Sequence, residues 1–197
     1  MVHAIILDMD GVIRHLDMNV AENASQSIGF NFEELMDVLW DNQPGYQLLC
    51  GRSFRNIWWK QVQQLDARLN TVTQDFFWNE VLAKNTIDLD VIQFINEIRQ
   101  NLVTGILTNC DRESKNEIKR TLGKSHPFDH ILSSSDLGAK KPEPEIYRRL
   151  LETIGVGAED CIFFDDRISN VEGARAVGIQ AHLFQGLDQM KRLFFSI

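Results

Sequence analysis

The sequence predicts an α/β protein: an open parallel sheet flanked by helices, with a small all-helical segment inserted after the first strand. Three observations carry this. Short, near-continuous apolar runs recur in the second half of the chain, the pattern of parallel strands covered on both faces. Amphipathic helical stretches separate those runs. Between the first run and residue 88 the texture changes to helical spacing alone.

Residues 2–7 (VHAIIL) form an apolar run that breaks at Asp8 and Gly11, which reads as a buried strand ending in a tight turn. The later runs are LVTGILT at 102–108, HILSSS at 130–135, CIFF at 161–164 and IQAHLF at 179–184. Over 88–100, Val91, Ile95 and Ile98 share one helical stripe with Ile92 beside it. Over 143–155, Ile146, Leu150 and Ile154 recur at i, i+4 and i+8, and Gly155 marks the stop; residues 169–178 end at Gly178 in the same way. Strands alternating with helices of this length require right-handed crossovers in one parallel sheet.

The stretch 15–88 shows Leu35, Val38 and Leu39, then Trp58, Val62 and Leu65, then Phe77, Val81 and Leu82 at helical spacing, with no strand-like run among them. All four tryptophans (Trp40, Trp58, Trp59, Trp78) fall there and read as core packing of a separate helical unit. The expected organisation is therefore a core of residues 1–14 and 89–197 with a helical insert at 15–88.

At 197 residues the chain is long enough for one well-buried domain carrying a smaller one. A net charge of -8, with no Lys/Arg run, argues against nucleic-acid and membrane-surface partners. The run before Asp8 is too short for a secretory signal core, nothing approaches the ~20 apolar residues of a membrane span, and Cys50, Cys110 and Cys161 fit neither a disulfide framework nor a zinc spacing. The expected location is the cytoplasm. Gly123-Lys124-Ser125 resembles the end of a P-loop, but Ile118 stands where that motif needs glycine.

Four short elements stand at or just beyond the carboxyl ends of the expected strands, the edge at which open parallel sheets bind ligands. They are Asp8-Met9-Asp10-Gly11-Val12, Thr108-Asn109, Lys141-Pro142, and Asp165-Asp166 with Asn170 four residues on. Each alone is an ordinary turn or cap sequence; the force lies in the combination and its order.

DMDGV, ILTN, GAKKPEPEIY and IFFDDRISNVEGARAVG resemble the four signature motifs of the haloacid dehalogenase superfamily, most closely its sugar-phosphate phosphatases and the phosphatase domain of soluble epoxide hydrolases. The resemblance implies a Rossmann-like core with a helical cap, and a Mg²⁺-dependent phosphatase acting on a small phosphorylated molecule. It implies Asp8 as nucleophile and metal ligand, Asp10 as general acid/base with its backbone carbonyl on the metal, and Asp166 as a further ligand, with the choice between Asp165 and Asp166 left open by the sequence. Gly11, Thr108, Asn109 and Lys141 would serve the phosphate, Lys141 also the transition state, and Asp165 and Asn170 would stand behind the metal site. The physical logic agrees, since phosphoryl transfer needs an in-line nucleophile, charge neutralisation and a proton for the leaving oxygen. Within the resemblance Asp10 favours phosphate chemistry, since dehalogenases need no acid there. Phosphomutase or dehalogenase chemistry of the same superfamily and a non-catalytic phospholigand-binding role are the alternatives. Arg14, His15, Arg52 and Arg55 are open between substrate contact and plain surface, and substrate and oligomeric state are not specified.

Overall fold

The computed structural model describes residues 2–72, 74–81 and 85–196. Strand β1 (Ala4–Leu7) is buried along its length and lies at the centre of a five-stranded sheet. Its side chains divide by parity: Ile5 and Leu7 join one apolar cluster and Ala4 and Ile6 another, as a strand covered on both faces requires. After the Asp8–Gly11 turn, β2 (Arg14–Leu16) leads into four short helices, α1 (Met18–Ser27), α2 (Phe32–Trp40), α3 (Gln43–Leu49) and α4 (Arg55–Val62). The first three begin at Asp17, Asn31 and Asn42, whose side-chain oxygens accept from free first-turn amides. A 3₁₀ turn at Ala67–Thr71, α5 (Gln74–Phe76) and a π-helical turn at Phe77–Val81 precede β3 (Asn85–Ile87), which pairs antiparallel with β2.

The sequence reading anticipated no strand in this region. Three-residue strands are too short to display a period of two, so the β2–β3 ribbon left no pattern to read. Leu65 lies beyond the end of α4 and is exposed, and Leu82 falls outside the described residues. Between Leu16 and Trp78 the segment packs its own apolar cluster around Leu35, Leu39, Trp58 and Leu69. Trp58 is fully buried, stacks on Trp40 at 4.7 Å and donates its Nε1–H to the Leu39 carbonyl at 3.2 Å.

The chain returns through α6 (Leu89–Ile98), β4 (Val103–Thr108), α7 (Arg112–Leu122), β5 (His130–Ser133), α8 (Ser134–Leu137), α9 (Pro144–Ile154), a 3₁₀ turn, β6 (Cys161–Asp165), α10 (Ile168–Arg175), β7 (Gln180–Leu183) and α11 (Leu187–Phe194). The sheet order is β5-β4-β1-β6-β7 and every pairing is parallel. Helices α6, α7 and α11 cover one face through Phe94, Ile118 and Met190. Helices α9 and α10 cover the other through Tyr147, Leu150 and Val171. The run 130–135 was expected as one strand, yet it turns helical at Ser134. Ser133 and Asp136 form a reciprocal capping box there, which stops the strand and starts α8. Gly155 ends α9 in the left-handed region, as expected.

All three cysteines are buried and free. Among the described residues, no helix is long and apolar enough to cross a membrane.

Candidate active site

The sheet order places β1 between β4 and β6, so the carboxyl ends of β4, β1 and β6 open onto one edge. Asp8 continues β1 by one residue, its N–H donating to the Phe164 carbonyl of β6 at 2.8 Å. Its carboxylate is buried and accepts from the Met9 N–H at 2.6 Å. Lys141, almost fully buried, brings its Nζ within 2.7 Å of Asp8 Oδ1 and 2.7 Å of Asp165 Oδ2, and donates to the Leu107 carbonyl at 3.0 Å.

Three of the carboxylates expected at the site converge: oxygens of Asp8, Asp165 and Asp166 lie within 4.8 Å of one another. Asp165 is fully occupied by donors. Besides Lys141 it accepts from the Arg167 N–H at 2.9 Å and from Asn170 Nδ2 at 2.9 and 3.1 Å. Asn170 is itself tied down, its carbonyl accepting from the Tyr147 hydroxyl at 2.7 Å. Asp166 is exposed and lies against the Gly11 turn: a Cβ on Gly11 would stand 2.2 Å from Asp166 Oδ2. Gly11 also has φ +83, so both its backbone and its lack of a side chain are required.

The electrostatics follow from one ammonium among these carboxylates. Burial pushes the Asp8 carboxyl up to about 8, Asp165 and Asp10 push the same way, and Lys141 only partly offsets them. Asp166 is raised too, first by burial and then by Asp165. Burial alone would lower the Lys141 ammonium, but Asp8 and Asp165 outweigh it and hold it above its ordinary value. The site is thus short of positive charge. Its donor set is all oxygen, the set a hard divalent cation such as Mg²⁺ takes, and the residues present fit such an ion.

Thr108 is buried at the end of β4. Both ends of the Asn109 amide meet the Lys141 backbone: Nδ2 donates to the Lys141 carbonyl at 2.9 Å and Oδ1 accepts from the Lys141 N–H at 2.9 Å. The Asp10 side chain stands apart from the carboxylate cluster, paired with Arg14 at 2.6 and 2.9 Å. The sequence reading did not connect these two; opposite charges four residues apart were the available signal, but in a turn rather than a helix. His15 lies 3.6 Å from Asp88 on the β2–β3 side.

Arg55 was a candidate anion contact, and instead it is buried against Asp111 at 3.1 and 3.2 Å and donates to Ser114 Oγ at 2.7 Å. Arg52 donates to the Gly138 carbonyl at 3.3 Å. Both therefore join the helical segment to the sheet-bearing part. Gly51 completes that contact, since a Cβ there would meet the Ser135 carbonyl oxygen at 2.4 Å.

A parallel sheet carrying a carboxylate–lysine cluster at the carboxyl end of its central strands defines a Rossmann-like α/β protein with a site at its strand-end edge. A family model described as haloacid dehalogenase-like hydrolase matches residues 2–178, and the chain belongs to that family. Among its relatives is a phosphatase of Mycobacterium tuberculosis, 27% identical over 195 residues, covering 92% of this chain and 87% of that protein. A phosphorylated carbohydrates phosphatase of Thermotoga maritima is 30% identical over 103 residues, covering 52% of this chain and 47% of that one. Among solved structures, a family enzyme of Bacteroides thetaiotaomicron in complex with magnesium and inorganic phosphate superposes with a TM-score of 0.79. That match covers 98% of this chain and 100% of that one at 17% identity, a likeness of fold.

Proposed function

We propose that this protein is a Mg²⁺-dependent phosphatase that hydrolyses a small phosphomonoester through an aspartyl-phosphate on Asp8. The observation that carries the reading is the placement of the Asp8 carboxylate at the end of the central strand, 2.7 Å from the Lys141 ammonium and beside Asp166. The phosphatases among its relatives support the same chemistry.

In this reading Asp8 attacks phosphorus in line with the ester oxygen, and the P–O bond to the leaving group breaks as the bond to Asp8 forms. Asp10 gives its proton to the departing oxygen, then takes one from the water that hydrolyses the aspartyl-phosphate. Lys141 offsets the negative charge that gathers on the phosphoryl oxygens and Asp8, at a position fixed by Asp165, by the Leu107 carbonyl and by the Asn109 grip on its backbone. Asn109 then serves the phosphate through Lys141. Asp8, Asp166 and the Asp10 carbonyl would hold the Mg²⁺ ion, which supplies charge neutralisation on the phosphoryl group when bound. Asp166 fits that place better than Asp165, whose oxygens are already taken by Lys141, Asn170 and the Arg167 amide. The segment 15–88 acts as a cap that limits access to small substrates and excludes water.

The test is phosphate release from a panel of small phosphomonoesters with Mg²⁺ or EDTA, comparing the wild type with Asp8→Asn. Magnesium-dependent release that disappears in Asp8→Asn supports the reading. Release that survives in Asp8→Asn overturns it.

A further inference from the structure

Asp8 and Asp165 are each held by donors from more than one residue, whereas the Asp10 carboxylate receives its hydrogen bonds, among the described residues, from Arg14 alone. The two side chains meet fork to fork: Nε donates to Oδ1 at 2.6 Å and Nη2 to Oδ2 at 2.9 Å. Their settings are unequal. The Asp10 side chain is 59% exposed, that of Arg14 only 20%.

The Arg14 backbone is anchored as well. Its N–H donates to the Met9 carbonyl at 2.7 Å, its carbonyl accepts from the Gly11 N–H at 2.8 Å, and its Cα is in register with Ile87 across the β2–β3 ribbon. The next turn of chain is fastened to the same place by the Asp88 N–H on the Ile13 carbonyl at 2.8 Å. Arg14 is thus a rigidly mounted fork that grips an otherwise exposed carboxylate, and its mount is the ribbon carrying the chain into and out of the helical segment.

We propose that Arg14 is the positioning residue for Asp10, fixing where the acid/base carboxylate stands and tying that place to the ribbon at the root of the helical segment. This rests on the reading of Asp10 as the general acid and base. An ion pair with one partner this exposed adds little to stability. A bidentate guanidinium–carboxylate pair does, however, specify orientation, which a lysine cannot reproduce; when Asp10 carries its proton on one oxygen, the other keeps its bond to the fork and holds that orientation. The consequence is therefore expected in leaving-group departure rather than in folding.

The experiment measures kcat/KM, which reports the step that expels the leaving group, for p-nitrophenyl phosphate and for glycerol 2-phosphate. Arg14→Gln is expected to lose roughly 10- to 100-fold on the alkyl ester, whose oxygen needs the proton, and much less on the nitrophenyl ester. Arg14→Lys recovers only part of the loss. In an Asp10→Asn background, Arg14→Gln has no further effect. Equal losses on both esters, or a full additional loss in the Asp10→Asn background, overturn the proposal. If Asp10→Asn itself fails to discriminate between the esters, the acid/base assignment falls, and this proposal with it. The pairing also has a readout independent of turnover: the Arg14 Nε–H should exchange slowly in ¹⁵N spectra of the wild type and rapidly in Asp10→Asn. A rapidly exchanging Nε–H in the folded wild type refutes the grip whatever the kinetics show.

Discussion

The side-chain amide of Asn109 spans the Lys141 peptide units at both ends, donating to the Lys141 carbonyl at 2.9 Å and accepting from the Lys141 N–H at 2.9 Å. Because the oxygen faces a donor and the nitrogen an acceptor, the amide has one sensible orientation. The pair ties the end of β4 to the loop that delivers the buried ammonium to Asp8.

Asn109→Ala removes both bonds and frees that loop. It is expected to lower kcat for phosphate release by about 10- to 100-fold, as a displacement of the order of an ångström in a catalytic charge does. Asn109→Asp should be no better, since a carboxylate cannot donate to the Lys141 carbonyl. Steady-state kinetics checks this, and an undiminished kcat in Asn109→Ala would show that Lys141 holds its place unaided.

In the proposed reading, protons and Mg²⁺ compete for Asp8. Its carboxyl is pushed by burial from the usual 3.8 to about 8 in the metal-free protein. Between those values the folded chain binds a proton that the unfolded chain has released. Metal-free stability therefore falls as pH rises through that interval and levels off above it. A cation that needs the ionised carboxylate should bind more tightly over the same rise and release a proton as it binds. Calorimetric titration of Mg²⁺ in two buffers of different ionisation enthalpy, from about pH 6 to about pH 8, reads both effects. A pH-independent affinity would contradict the prediction.

Gly11→Ala places a methyl carbon 2.2 Å from Asp166 Oδ2, and does so at φ +83. The carboxylate must move, so Mg²⁺ affinity is expected to weaken by about tenfold or more. Retention of wild-type affinity, measured by Mg²⁺-dependent thermal stabilisation, would mean that Asp166 contributes nothing to the ion.

Arg55 and Asp111 form a buried pair between α4 and the start of α7, with the guanidinium 3.9 Å from the Trp78 ring centroid. Asp111 also caps α7 by accepting from the Glu113 and Ser114 amides. Arg55→Ala leaves that carboxylate buried without its countercharge and should cost about 3–5 kcal/mol in chemical denaturation. Asp111→Asn should cost less than the pair together, because an asparagine oxygen still caps the helix. A loss below about 1 kcal/mol in Arg55→Ala would show the pair to be solvated in solution.

Much of the fold was legible. The runs around Ile5, Ile106 and Phe163 are apolar on both faces, the pattern of a parallel strand covered on both sides. Asp8, Thr108 and Asp165 stand at the ends of such runs, and strand ends in a parallel sheet share one edge. The β2–β3 ribbon was not legible, being shorter than one readable period. Nor was the helical start at Ser134, where a local capping box overrides the apolar run.

What the sequence determined by itself, then, was the layered architecture and the set of residues gathered at its carboxyl edge, because hydrophobic period and strand-end placement are local properties written along the chain. Partnership was decided only by tertiary structure. That Asn109 serves Lys141, that Asp165 is saturated while Asp166 stands open, and that Arg14 holds Asp10 while Arg55 holds Asp111 all depend on which donors face which acceptors within about 3 Å. Hydrogen bonds and ion pairs are short-ranged and directional, so the composition of a motif names the participants and only the packed chain assigns their partners.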